Sequence, residues 1–236
     1  MLFDQAEFAI RCEWGLRGLR ELAPISDVVI IVDVLSFSTA LDIATSRGAV
    51  VFPYPLKDDS AASYAASVNA QLASSSRGVG FSLSPASLQS VEPDCRLVIP
   101  SPNGAALAFS ADHANAIAAC LRNAKAAARL AAQLGKTIAV IPAGETWDTG
   151  ELRPSIEDLL GAGAVIASLP GTKSPEAELA AIAFEHIQED LRQALLGCIS
   201  AKELIERGFA QDVDLASELD VSANVPCLKE RYFMGG

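Results

Sequence analysis

The stretch VVIIVDVLSFSTALDIA, residues 28–44, decides how this chain folds. Five apolar β-branched residues, Val28 to Val32, run straight into Asp33 with no polar alternation. An unbroken apolar run of this length reads as a strand buried on both faces, the habit of a parallel sheet. A helical pattern follows over 37–46 and stops near Arg47 and Gly48. Its start carries three hydroxyls, Ser36, Ser38 and Thr39, where the first backbone N–H groups of a helix lack partners. A buried strand therefore ends on a carboxylate, and a helix start rich in donors stands beside it.

Working outward, strands and helices alternate. Residues 27–33, 49–54, 95–100 and 136–144 read as strands, the last running into a loop, and 115–120 as a further strand. Residues 58–73, 104–110, 122–134 and 155–168 read as helices. Asp58 or Asp59 is the expected N-cap of the first of these. Ser155 with Asp158 three positions later reads as a capping box. Residues 175–196 and 200–207 are helical, and the C-terminal part reads as a helix and then an irregular or strand-like tail. The expectation is a three-layer α/β/α fold with a largely parallel sheet. It forms one domain over 1–236, more helical from about residue 175.

Composition excludes several classes. The chain has 236 residues, half of them apolar, enough for a sizeable core. Eighteen basic residues face 29 acidic ones, a net charge of −11, and no Lys/Arg cluster tracks a phosphate backbone, so nucleic acid is not an expected partner. The longest apolar runs are too short for a membrane span, and the N-terminus has no leader pattern. Five scattered cysteines without C-x-x-C spacing suit a reducing cytoplasm better than disulfides or zinc. Ala-rich helices leave a homo-oligomer open. An anionic ligand would need its charge offset locally, by a divalent cation, a helix N-terminus or a few placed arginines.

Three strands end in polar loops: 28–32 delivers Asp33 and LSFST, 96–99 delivers PSPNGA, and 137–141 delivers PAGETWD. In open parallel sheets, ligands bind outside the carboxyl ends of the strands. This edge would gather Asp33, Ser36, Ser38, Thr39, Asn103, Gly104, Gly144 and Glu145. Plainer roles stand beside these: Asp33 as a cap of the next helix, the hydroxyls as caps, PNG as a turn, and Glu157 and Asp158 as acids of a helix first turn. His113 and His186 are unpaired, and neither G-x-S-x-G nor a P-loop is present. What remains is carboxylate, hydroxyl and amide oxygen, an inventory suited to Mg²⁺ and a phosphate.

Six segments occur in a telling order: VVIIVDVLSFSTAL, GFSLSP, IPSPNGAAL, IPAGE, PSIEDLLGAGAVI and GFAQDVDLASELDVSANVPCL. Together, from about Val28 to Leu228, they resemble the 2-phosphosulfolactate phosphatase family. The resemblance implies a three-layer α/β fold and a Mg²⁺-dependent acid phosphatase that releases phosphate from 2-phospho-3-sulfolactate in coenzyme M synthesis. The chain departs from the family pattern in places. Ser36 and Phe37 stand where the family has arginine and alanine, and Ser101, Pro102 and Ala105 replace threonines around Asn103-Gly104. An arginine forks onto an anion as serine cannot, so Arg77, Arg153 or Arg47 is expected to compensate, or the substrate differs.

The resulting expectation is a hydrolase of a small anionic phosphomonoester. Asp33 ligates Mg²⁺ or is itself the nucleophile, with Glu145 or Asp158 as second carboxylate. Ser36, Ser38, Thr39, Asn103 and Gly104 hold the phosphate, through hydroxyls and the N–H groups at 37–39 and 103–104. The alternative is a degenerate member that binds a small anion without turnover.

Overall fold

A computed structural model describes residues 4–111, 113 and 115–236. Nine strands join in one sheet: β1 (Ile10–Cys12), β2 (Val28–Val32), β3 (Val50–Tyr54), β4 (Gln71–Leu72), β5 (Arg96–Pro100), β6 (Ala116–Ala119), β7 (Ile138–Pro142), and, after the small β8 (Glu145–Thr146) and β9 (Leu152–Arg153) ribbon, β10 (Pro226–Lys229) and β11 (Tyr232–Gly235). The order is β1-β7-β2-β6-β10-β11-β3-β5-β4. β2 lies in parallel register between β6 and β7, with Ile30 opposite Ile117 and Val140. All five of its residues are buried, as the unbroken apolar run requires.

Helices cover both faces. They are α1 (Gly15–Leu22), α2 (Phe37–Ser46), α3 (Ser60–Ser67), α4 (Pro85–Leu88), α5 (Gly104–Ser110), α6 (Ala124–Leu134), α7 (Ile156–Ala167), α8 (Pro175–Ile187), α9 (Leu191–Gly197), α10 (Ile199–Glu206) and α11 (Ala210–Ala216). Strand alternation divides the core. Val28, Ile30 and Val32 pack on the side of α6, α7 and α8, while Val29 and Ile31 pack on the side of α1, α2 and α5. The three-layer arrangement therefore stands. Among the described residues, no helix is long and apolar enough to cross a membrane. All five cysteines are free.

The structure corrects the sequence reading at two places and completes it at two more. The helix expected over 58–73 stops at Ser67, because Asn69 takes a left-handed φ of 50° and Gln71–Leu72 then pairs with β5. Residues 175–196 break into α8 and α9. The N-terminal residues Ile10–Cys12 form an edge strand on β7. The tail takes the strand-like form of its two expected alternatives, with a placement the sequence did not indicate. It folds as the β10–β11 hairpin and inserts antiparallel between β6 and β3. Three successive antiparallel pairings therefore separate the β1-β7-β2-β6 half from the β3-β5-β4 half, and the two parallel halves run in opposite senses along the ladder. α2 packs against β6, β10, β11 and β3, so the twisted sheet wraps around it. That wrapping brings the end of β5 to the end of β2.

Candidate active site

Asp33 follows β2 and is 5% exposed. Its Oδ1 accepts the N–H of Phe37 at 3.0 Å, in the first turn of α2. Its Oδ2 accepts the N–H of Gly104 at 2.8 Å, at the start of α5. One carboxylate thus caps two helices. Gly104 has to be glycine, since a Cβ there would stand 2.5 Å from Asp33 Oδ2 and 2.6 Å from Phe37 Cδ1. The capping role and the ligand-facing role of Asp33 coexist, because each oxygen keeps a second lone pair.

Asp158 ties the loop of Asp33 to the loop that follows β7. Its Oδ1 accepts from Val34 N at 2.7 Å and its Oδ2 from Gly144 N at 2.9 Å. The neighbours of these two loops are Asp33 and Glu145, so Asp158 fixes both. The capping box expected at Ser155 does not form: among the described residues the buried Ser155 Oγ has no partner, and Asp158 reaches elsewhere. Asn103 Nδ2 donates to Glu145 Oε2 at 2.8 Å and orients it. Thr146 Oγ1 in turn donates to Asn103 Oδ1 at 3.3 Å.

These loops line a cavity of about 200 Å³. Asp33, Ser36, Asn103 and Glu145 are in its wall, together with Ser101, Ser74, Ser75 and Ser200. Three cations also line it, Lys57, Arg77 and Arg207, against three carboxylates, Asp33, Glu145 and Glu203. Within a chain of net charge −11, these cations bring charged donors to the cavity, with Arg207 paired to Glu203 and Arg77 to Asp212. Arg77 stands where the missing arginine would matter: its Nη2 donates to Ser36 Oγ at 2.9 Å and its Nη1 to Asp212 Oδ2 at 2.5 Å. The other two candidates lie elsewhere. Arg47 donates to Val91 O, and Arg153 stacks over Trp147.

Four of the expected site residues do not face this cavity. Ser38 and Thr39 are fully buried, and their hydroxyls donate to Ile31 O at 3.3 Å and Val34 O at 2.7 Å. Ser38 Oγ also accepts from Asp33 N. The N–H groups of Phe37, Ser38 and Gly104 all go to Asp33, through its carboxylate or its carbonyl oxygen. They hold Asp33, and phosphate finds none of them free. Asp158 sits behind the wall. The sequence reading missed Lys57, Glu203 and Arg207. Lys57 carried a signal, since it follows the carboxyl end of β3. Glu203 and Arg207 come from α10 and its C-cap, far along the chain, and carried none.

The acids repel one another. Burial first, then the nearby charge of Asp33, pushes Glu145 up to about 7. Burial also raises Asp33, against the pull of the Phe37 and Gly104 N–H groups and of Arg77. Burial, with Asp33 and Glu157, raises Asp158 well above the usual carboxylate range. On the cationic side, burial and the Arg77 charge lower Lys57. The cavity thus interleaves carboxylates, which gain from a cation, with cations, which gain from an anion.

Comparison with known proteins gives the family. A family model described as 2-phosphosulpholactate phosphatase matches residues 18–231. A 2-phosphosulfolactate phosphatase of Methanothermobacter thermautotrophicus is 30% identical over 134 residues, which span 57% of this chain and 56% of the relative. The match thus covers just over half the length of that curated relative. The chain belongs to the 2-phosphosulpholactate phosphatase family.

Proposed function

We propose that this family member hydrolyses a small, multiply anionic phosphomonoester, 2-phospho-3-sulfolactate by kinship, as a step toward coenzyme M in the cytoplasm. The observation that carries the reading is the cavity in which Asp33 and Glu145 face Lys57, Arg77 and Arg207.

Asp33 and Glu145 are the fitting holders of a Mg²⁺ ion. Among the described residues no cluster of three or more acids, histidines or cysteines forms a complete cage. Mg²⁺ does not require one, since it is commonly held by one or two carboxylates, waters and substrate phosphate oxygens. The raised Glu145 and Asp33 are the physical argument for a cation between them. When bound, the ion neutralises phosphoryl oxygens and lowers the pKa of a water. Asp33 is held rigidly by two helix starts and keeps a second lone pair on each oxygen with which to ligate the cation. Asn103 orients Glu145, and Asp158 holds both acidic loops in place. Lys57, Arg77 and Arg207 bind the anionic groups of the substrate and exclude uncharged ones.

The test is inorganic phosphate release from 2-phospho-3-sulfolactate and a panel of simpler phosphomonoesters, with and without Mg²⁺. Metal-dependent release is expected, greatest for the multiply charged substrate, and Asp33→Asn should abolish it while the fold persists. Anion binding without release from any substrate would establish the binding-only alternative.

A further inference from the structure

Asp212 lies on α11, a helix that contributes no wall to the cavity, and is 1% exposed. Its two oxygens have separate tasks. Oδ1 accepts from Ser84 Oγ at 2.6 Å and from Ala86 N at 3.1 Å, which joins α11 to the start of α4. Among the described residues, Oδ2 accepts only from Arg77 Nη1, at 2.5 Å. Arg77 itself sits in the Gly/Ser loop 74–84, which has no regular structure beyond an isolated bridge at Ser74 and Ser82. Three contacts fix its guanidinium: Asp212, Ser36 Oγ, and the ring of Phe209 with its centroid 5.9 Å away. Two of the three come from the first residues of α11 or its N-cap. Only two of the five guanidinium N–H donors are used in these hydrogen bonds, so three are left for a ligand.

We propose that Asp212 is a positioning residue for substrate recognition, holding Arg77 so that its remaining donors present a fixed fork to the anionic substrate. This rests on the reading of the cavity as a phosphomonoester site. Charge cannot be the purpose of the pair. A buried carboxylate at 2.5 Å offsets the positive charge of Arg77, so the pair adds little net field to the cavity. What it adds is orientation. A free arginine in an irregular loop would lose its rotamer freedom on every binding event, whereas this one has lost it already. The C-terminal helices therefore take part in recognition without touching the ligand.

Asp212→Asn is a selective perturbation. Its amide oxygen can replace Oδ1 toward Ser84 and Ala86, while its NH₂ meets Arg77 donor to donor. Expected is a rise in KM for 2-phospho-3-sulfolactate of about tenfold or more, with kcat changed by less than about threefold. Arg77→Met should raise KM at least as much, and Asp212→Asn should add less than about twofold on that background, because it acts through Arg77. Multiplying effects, or an unchanged KM in Asp212→Asn, would overturn the proposal. Should Asp212→Asn not fold, Arg77→Lys decides. It keeps the charge but cannot reach Asp212 and Ser36 together, so KM rises if orientation matters and stays if charge alone does. If wild-type protein releases no phosphate from any substrate, the functional reading falls, and calorimetric binding of 3-sulfolactate to the same variants tests the role of Asp212 independently. Affinity lost in Asp212→Asn supports that role, and unaltered affinity rejects it.

Discussion

Gly104→Ala tests the geometry on which the site depends. The new Cβ would stand 2.5 Å from Asp33 Oδ2, 2.9 Å from Asp33 Cβ and 2.6 Å from Phe37 Cδ1. None of these can retreat easily. Phe37 is fully buried against Phe233, with ring centroids 6.3 Å apart, and Asp33 is fixed by the two N–H groups it accepts. Overpacking costs about 1–3 kcal/mol. Breaking the Gly104 N–H bond to the carboxylate costs about 1.5–3 kcal/mol more. The better helix propensity of alanine returns at most about 1 kcal/mol. The net expectation is roughly 2–5 kcal/mol. At about 2–4 °C per kcal/mol for a chain of this size, Tm falls by about 4–20 °C. A displacement of Asp33 near 1 Å would lower kcat by about a hundredfold. Thermal unfolding followed by circular dichroism and phosphate release under saturating substrate measure the two effects. Gly197→Ala is the control: no atom lies within 4 Å of its added Cβ, so Tm should hold or rise slightly. A Gly104→Ala protein with wild-type Tm and kcat would refute the argument that Asp33 is wedged between two helix starts.

Other outcomes follow from the same contacts. In metal-free protein the folded Glu145 titrates at about 7 against 4.5 for the free side chain, so the unfolded state gives up its proton first. Stability is then lost as pH rises from about 4.5 to 7, by on the order of a few kcal/mol, with Asp33 and Asp158 acting in the same sense. Tm measured in chelator from pH 5 to 8 should fall, Glu145→Gln should flatten the fall, and a Tm climbing with pH over that range would contradict the assignment. Asp158→Ala leaves the N–H groups of Val34 and Gly144 without their acceptor, at about 1–3 kcal/mol each, and should lower both Tm and kcat. Gly163→Ala drives a Cβ into the Ala180 carbonyl where α7 crosses α8. It should destabilise by at least about 1–3 kcal/mol with KM unaltered, as seen by denaturant titration beside kinetics.

Local chemistry was legible in the sequence because it depends on near neighbours. Val28–Val32 announced a doubly buried strand, and α2 begins and ends where the hydroxyls and Arg47-Gly48 suggested. The strand-end rule gathered Asp33, Asn103 and Glu145, which do line one cavity. The same rule over-counted. Ser38, Thr39 and Gly104 follow strand ends as expected, but partners inside the protein use their groups: the Asp33 carboxylate takes the Gly104 N–H, Asp33 N–H and Ile31 O engage the Ser38 hydroxyl, and Val34 O takes the Thr39 hydroxyl. A pattern of residue types does not reveal which donor finds its partner inside the protein.

Periodicity, propensity and composition act over a few residues, and they suffice for the alternation of strands and helices, the acidic balance and the oxygen-rich loops. Long-range packing settled everything else. An unassuming tail became the hairpin that reverses the sheet, and the wrapped sheet carried Gly104 to Asp33 across 71 positions of chain. It also set Arg77 against Asp212, which lies 135 residues away. Such pairings are fixed by the packing of β10–β11 between two sheet halves and by burial of charge against charge, and a linear pattern carries no record of either.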